Sequence, residues 1–334
     1  MKKIFFKLLL VTSPVTLLLL LYVYNDPFKV LYYYESYFTN GEIQRVGLSE
    51  SYISTQNFLQ NYPAQYYDSY IMGGSRSGFY TVSEWKKHIN STKCYHLNSN
   101  GGNLTGIQNK LKLLDSQNVT IRNVLITLDT SVFTSNFSGP LFHQHPAIAH
   151  QNIFEFQTDF IKYFFEYKFL SSYLKFIFTG KISDIDARQH LLNTIEQDYD
   201  KETNEITLRK TEELIARNRD SFYTPLNAVF KERPSAQQYS PSVITAQHEK
   251  QLNSIKQIFT AHNTSYKIIL CPIYNQRKMN PADLKILQYI FGKENVFDFS
   301  GINDITEDKY NYYEESHYRT HVANRIMDSI YSKH

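Results

Sequence analysis

Gly73-Gly74-Ser75-Arg76-Ser77 follows directly on the short apolar stretch Tyr70-Ile71-Met72, and Glu314-x-x-His317 stands near the far end of the chain. A serine on a glycine turn at a strand end, with a histidine that has a carboxylate three residues before it, supplies the parts of an activated hydroxyl nucleophile. The imidazole takes the serine proton, and the carboxylate orients the imidazole and steadies its protonated form. Each part alone has a plainer meaning. A serine in a Gly-Gly-Ser turn is a common helix N-cap, and Glu314-Glu315 ahead of a helix complements the helix dipole; the pairing is what points to chemistry. Arg76 either binds an anionic group or anchors its own loop through an ion pair. His317 and His321 also share the i, i+4 spacing of two ligands on one helix face, and His143, His145 and His150 form a loose group. No His-Glu-x-x-His pattern accompanies them, so no metal and no cofactor are expected.

The elements that must position these residues are those of an α/β sheet, because short apolar runs alternate with helical stretches. Residues 70–72 read as the first strand, and 77–89, with Phe79, Val82, Trp85 and Ile89 at helical spacing, as the helix it feeds. A second strand at 93–97 ends in Asn98-Ser99-Asn100-Gly101-Gly102; a helix at 104–114 leads to a third strand at 124–128, which ends at Asp129. Later, 243–261 carries Ile244, His248, Leu252, Ile255 and Phe259 on one face, ahead of a strand at 267–271. A helix at 283–291 and a strand at 295–299 follow, and the final helix starts near His317 and runs through Val322, Ile326 and Ile330. Ligands of open parallel sheets bind outside the carboxyl ends of the strands. Ser75, Gly101, Gly102, Asp129 and Tyr274 are therefore expected to meet on one rim. Between 140 and 238 the pattern changes to an aromatic helical stretch at 153–178, an acidic segment at 196–205 and a charged helix at 207–219, read together as a helical insertion. Its role is to cap the sheet, or to face a membrane or a membrane partner.

Lys2, Lys3 and Lys7 precede an apolar run over 8–24, broken only by Thr12, Ser13, Pro14 and Thr16. About 20 such residues make one spanning helix, and the basic side stays in the cytoplasm. Tyr22, Tyr24 and Asn25 close the run where a signal peptide would have a small-x-small cleavage site. The expected organisation is an anchor at 1–25, a juxtamembrane segment at 26–64 and a domain at 65–334, with its insertion at 140–238, on the periplasmic or extracellular side. The net charge of +3, from 35 basic and 32 acidic residues, includes the early lysines, so no basic stripe suggests nucleic acid. Cys94 and Cys271 are the only cysteines. An exported chain could bridge them, but they fall on strands that are not neighbours, which favours two separate buried thiols; without CxxC spacing they are not metal ligands. The 27 tyrosines and 23 phenylalanines suit sugar rings, cores and membrane interfaces alike, so they decide nothing alone.

Ile71-Met72-Gly73-Gly74-Ser75-Arg76, Asn100-Gly101-Gly102, Leu128-Asp129, Val296-Phe297-Asp298-Phe299-Ser300-Gly301 and Tyr312-Tyr313-Glu314-Glu315-Ser316-His317-Tyr318 together resemble the membrane-anchored branch of the SGNH hydrolase superfamily. That branch includes relatives of the alginate acetylation proteins and of the D-alanyl transfer protein of teichoic acid synthesis. The resemblance spans 65–334 outside the insertion and implies an SGNH or flavodoxin-like three-layer α/β/α fold with a central parallel sheet. It makes Ser75 the nucleophile, His317 the general base, and Glu314 the occupant of a place usually held by aspartate. Gly101 or Gly102 matches the glycine whose N–H joins that of Ser75 in the oxyanion hole. Asp129 stands where the family has asparagine; a carboxylate does not donate to an oxyanion unless protonated, so it orients a neighbour or an acceptor hydroxyl. The implied activity is two-step transfer of an acyl group, acetyl being expected, from a multi-span membrane-bound O-acyltransferase partner through Ser75 to a cell-surface polysaccharide. With water as acceptor the same site is a carbohydrate esterase. The alternative from another class is a catalytically silent glycan-binding or scaffold subunit of an envelope assembly.

Overall fold

The computed structural model describes residues 2–40, 42–183, 192 and 197–332, with residues 2–11 described through the backbone alone. In chain order the principal elements are α1 (Lys2–Asn25), α2 (Glu50–Gln65), β1 (Ser69–Gly73), β2 (Cys94–His96), α3 (Leu104–Ser116) and β3 (Asn123–Leu128). They continue with α4 (Ile153–Phe165), α5 (Tyr167–Thr179), α6 (Ala246–Ala261), β4 (Ser265–Leu270), α7 (Pro281–Phe291), β5 (Val296–Asp298) and α8 (Thr320–Tyr331).

The five strands form one parallel sheet in the order β2-β1-β3-β4-β5. Parallel strands are covered on both faces and so read as continuous apolar runs, and alternate side chains then feed opposite layers. Tyr70, Met72, Val124, Ile126, Ile268 and Leu270 pack on one side with Leu111, Leu252, Phe259 and Leu287 from α3, α6 and α7. Ile71, Leu125 and Ile269 face the other side, against Trp85 and the Val322, Ile326 and Ile330 ridge of α8. Helix starts are fixed by side chains that satisfy free backbone donors: Asn103 accepts from Gly106 N–H, and Thr245 from His248 N–H.

Several elements differ from the sequence expectation, each for a local reason. Residues 77–89 are not one helix. Ser75–Phe79 is a 3₁₀ turn and Val82–Trp85 a separate short helix, because Thr81 takes an extended backbone and caps it by accepting from Glu84 N–H. The stretch 153–178 breaks at Glu166, whose ψ of 127° is extended, into α4 and α5. The final helix begins at Thr320, so His317 lies in a small antiparallel hairpin, Tyr312–Glu314 with His317–Tyr318. The charged helix is Arg209–Arg217, preceded by a hairpin of Asp198–Asp200 and Glu205–Thr207; Glu196, at the start of the expected acidic segment, lies outside the described residues.

The aromatic part of the insertion does not cap the sheet. Phe156, Phe160, Phe164, Phe169 and Tyr173 of α4 and α5 build a separate core with Tyr22, Phe28, Val30, Tyr37 and Tyr52. Ring centroids stand 5.1 Å apart for Tyr22 and Phe164 and 5.4 Å for Phe28 and Phe160, within the favourable range for aromatic pairs. Among the described residues no helix is long and apolar enough to cross a membrane; residues 8–11 of the expected span have no described side chains.

Cys94 on the edge strand β2 and Cys271 just after β4 are free, buried thiols with β1 and β3 between their strands. Burial pushes both up to about 12, where almost no thiolate exists at neutral pH. Ellman's reagent is therefore expected to label no cysteine in the native protein and both after denaturation, with or without prior reduction. Rapid native labelling, or labelling that requires reduction, contradicts this arrangement.

Candidate active site

Ser75 enters the site because β1 ends on glycine. Gly73 has φ +149°, and a Cβ there would run into Thr127 Oγ1 and stand 2.9 Å from the Thr127 carbonyl on β3. Only glycine permits both that backbone and that approach. The chain then turns into the 3₁₀ segment with Ser75 at its first position. No acceptor for the Ser75 N–H is found among the described residues, as expected for the first donor of a helical turn.

Ser75 Oγ lies 2.8 Å from His317 Nε2. His317 Nδ1–H donates to Glu314 Oε1, leaving Nε2 as the acceptor facing the serine. Glutamate reaches as aspartate would because Glu314 and His317 are cross-strand partners in their hairpin, joined by the Glu315-Ser316 turn. The other carboxylate oxygen accepts from Ser316 N–H at 2.9 Å. Burial opposes the charge on Glu314, but the hydrogen bond and charge of His317, with the Ser316 N–H, outweigh it and hold the carboxyl below its ordinary range. Serine, imidazole and carboxylate thus form an unbroken hydrogen-bonded chain.

Arg76 anchors. Its Nε–H donates to the Ser316 carbonyl at 2.8 Å and its Nη1 meets Asp129 Oδ2 at 2.6 Å. Asp129 also accepts from Ser131 N–H at 2.7 Å, capping the turn after β3, so it orients Arg76 rather than an acceptor hydroxyl. His321 is not a partner of His317; its Nε2 lies 2.9 Å from Asn311 Oδ1.

Three expected site residues fall elsewhere. Tyr274 lies outside the cleft, its ring under the Arg233 guanidinium at 4.2 Å and edge-on to Tyr312, because the chain turns away after Pro272. Gly102 spends its N–H on the Ser99 carbonyl at 3.2 Å. Gly101, at φ +54°, sits against Phe137 and Phe142 and does not line the cleft. Two asparagines of the same turn, Asn98 and Asn100, do line it, in a cleft of about 290 Å³ shared with Ser75, His317 and Glu50. Glu50 carries no sequence signature, whereas Asn98 and Asn100 stand in the strand-end block that points to Gly101 and Gly102; His96 could have been found, as a polar residue inside an apolar strand.

His96 supports the Ser75 turn from within. Its Nε2 stands 3.2 Å from Ser77 Oγ, which itself donates to the Gly74 carbonyl at 2.8 Å. Burial, aided by the positive charge of Lys110, pushes the imidazole from 6.5 down to about 3. Between these values the unfolded chain binds a proton that the folded chain refuses. The stabilisation is thus complete above about 6.5 and is lost progressively as pH falls towards about 3. Urea unfolding at about pH 7 and about pH 4.5 is expected to show a smaller loss of stability in His96→Gln than in the wild type. Equal losses contradict the assignment. No protein-family model matches the chain and no curated protein matches it, so its chemistry is read from this geometry.

Proposed function

We propose that the chain is an acyl-serine enzyme of the SGNH type, which passes an acyl group from a donor through Ser75 to an alcohol of a cell-surface polysaccharide. The observation that carries this reading is the 2.8 Å contact of Ser75 Oγ with His317 Nε2, backed by the His317 bond to Glu314. The strand order 2-1-3-4-5 supports it as well, since it is the flavodoxin-like order whose switch point lies between β1 and β3, where Ser75 emerges.

In the first step His317 Nε2 takes the Ser75 proton as Oγ attacks the donor carbonyl carbon. The resulting oxyanion accepts from the Ser75 N–H, a fixed dipole that needs no reorganisation. Glu314 stabilises the imidazolium formed on His317. Collapse breaks the bond to the leaving group, which receives the proton from Nε2. In the second step His317 deprotonates the acceptor alcohol, whose oxygen bonds to the acyl carbon while the bond to Ser75 Oγ breaks and the serine regains its proton.

The domain is tethered by α1, on this reading, with its lysines on the cytoplasmic side. Leu17, Leu20 and Val23 expose apolar side chains along that helix, and Phe154, Tyr167 and Phe178 do so on α4 and α5, a surface suited to a lipid boundary or to the membrane-bound O-acyltransferase that the sequence resemblance implies.

The full chain is expected to release nitrophenol from p-nitrophenyl acetate. Ser75→Ala and His317→Ala should lower kcat/KM by about 10³-fold or more, and Glu314→Gln by on the order of 10²-fold or more. Wild-type rates in Ser75→Ala and His317→Ala contradict the proposal. In cells, Ser75→Ala lowers the acetyl content of the surface polysaccharide if the protein is a transferase; a rise identifies an esterase.

A further inference from the structure

We infer that Glu50 binds the acceptor: its carboxylate, held by Asn98 and Asn100 in the cleft of Ser75 and His317, takes hydrogen bonds from the hydroxyls of an uncharged sugar and selects the alcohol that receives the acyl group. The inference rests on the acyl-serine reading and adds the acceptor class.

Glu50 is the first residue of α2, and Ser49 fixes where it emerges. Ser49 Oγ accepts from Tyr52 N–H at 3.2 Å and donates to the His143 carbonyl at 2.6 Å. The Glu50 carboxylate then accepts from Asn98 Nδ2 at 2.7 Å through Oε2 and from Asn100 Nδ2 at 2.9 Å through Oε1. The orientation of Asn98 is settled by its surroundings. The His96 carbonyl can only accept, so Asn204 presents its Nδ2 there at 2.8 Å, and the same Nδ2 reaches Asn98 Oδ1 at 3.2 Å. Asn98 must therefore turn its own nitrogen towards Glu50.

A carboxylate has about four lone-pair sites, and the described residues fill two. No lysine or arginine makes an ion pair with Glu50 among those residues. Lys110 Nζ lies deeper, bonded to the Asn98 carbonyl and to Ser54 Oγ, so it offsets the charge at one remove. Enclosure by protein pushes the Glu50 carboxyl up, with Lys110 and the two amides opposing, although the residue keeps partial exposure within the cleft. Ser49 and the acidic Glu50 both favour the start of α2, but neither the cap nor the helix dipole requires the carboxylate to be enclosed in the cleft, where it carries a desolvation cost.

The rest of the cleft fits the same ligand. Phe79 and Tyr313 supply an aromatic wall, suited to the apolar face of a sugar ring, opposite in character to the hydroxyl-binding Glu50, Asn98 and Asn100. No lysine or arginine lines the cleft among the described residues, and Arg76 is engaged with Asp129 and Ser316. An anionic acceptor would meet the carboxyl groups of Glu50 and Glu314 with no lysine or arginine beside it in the cleft, Lys110 lying behind Asn98. Glu50 exchanges no proton in the transfer; His317 takes the proton of the acceptor hydroxyl and returns it to Ser75.

The test uses the full chain with p-nitrophenyl acetate as donor and methyl glucoside or methyl glucuronoside as acceptor. Nitrophenol release follows acylation of Ser75, and acetylated glycoside follows transfer. The wild type is expected to acetylate the glucoside at least about tenfold better than the glucuronoside. Glu50→Gln, similar in shape, is expected to lower the ratio of transfer to hydrolysis by about tenfold or more. An unchanged ratio in the folded variant overturns the inference, as does a parallel fall of burst and transfer. So does a wild type that makes no acetylated glucoside or favours the glucuronoside, a result that stands even if the variant does not fold. Absence of any Ser75-dependent burst in the wild type contradicts the acyl-serine reading itself, and the role of Glu50 falls with it.

Discussion

One guanidinium ties together the three parts of the chain that make the site. Arg76 follows Ser75, donates to the Ser316 carbonyl in the turn that carries His317, and pairs with Asp129 at the end of β3. Its side chain is 14% exposed and that of Asp129 8%, so this is an enclosed pair. Loss of one partner from such a pair costs about 3–5 kcal/mol, because the other charge is left buried. The bond to Ser316 holds a two-residue turn against the Ser75 loop, and that turn sets the distance between Ser75 and the imidazole. Tyr318 adds a second tie through its hydroxyl, which donates to the Arg76 carbonyl at 3.2 Å.

The sheet explains why these parts can meet. Chain order reverses between β1 and β3, so loops leaving the two strands diverge and open a crevice at their carboxyl ends. Gly73 lets β1 press against Thr127 at that point, and Ser75 is presented at the mouth of the crevice. Glu50 arrives there from a different direction, on the first turn of α2, and the Asn98 and Asn100 turn after β2 joins it to the sheet. The cleft therefore has one wall from the C-terminal hairpin, with His317 and Glu314, and a polar wall from α2 and the turn after β2.

The parts of this arrangement that were legible in the sequence are those governed by burial on both faces. β1, β3 and β4 carry the apolar runs Tyr70-Ile71-Met72, Val124-Leu125-Ile126 and Ile268-Ile269-Leu270, and Ser75, Glu314 and His317 stand out by type and spacing. His317 was expected at the start of a helix, because Glu314-Glu315 resembles a helix N-terminus; a hairpin with strands of two and three residues leaves no periodic trace. α2 escaped for a different reason. Its buried face mixes Ser51, Ser54, Thr55 and Asn57 with Tyr52, Ile53 and Phe58, so polar side chains that bond within the fold erase the apolar stripe. Glu50 was hidden with it. Position after a strand points Tyr274 to the rim, yet in the folded chain its ring is taken up beneath Arg233.

The full chain, exposed briefly to p-nitrophenyl acetate without an acceptor, quenched in acid, digested and mapped by mass spectrometry, should carry one acetyl group on the peptide containing Ser75. That label should disappear on adding an acceptor alcohol and be absent in Ser75→Ala. An unmodified Ser75 while nitrophenol is released, or acetyl confined to surface lysines and tyrosines, would exclude an acyl-serine at this site.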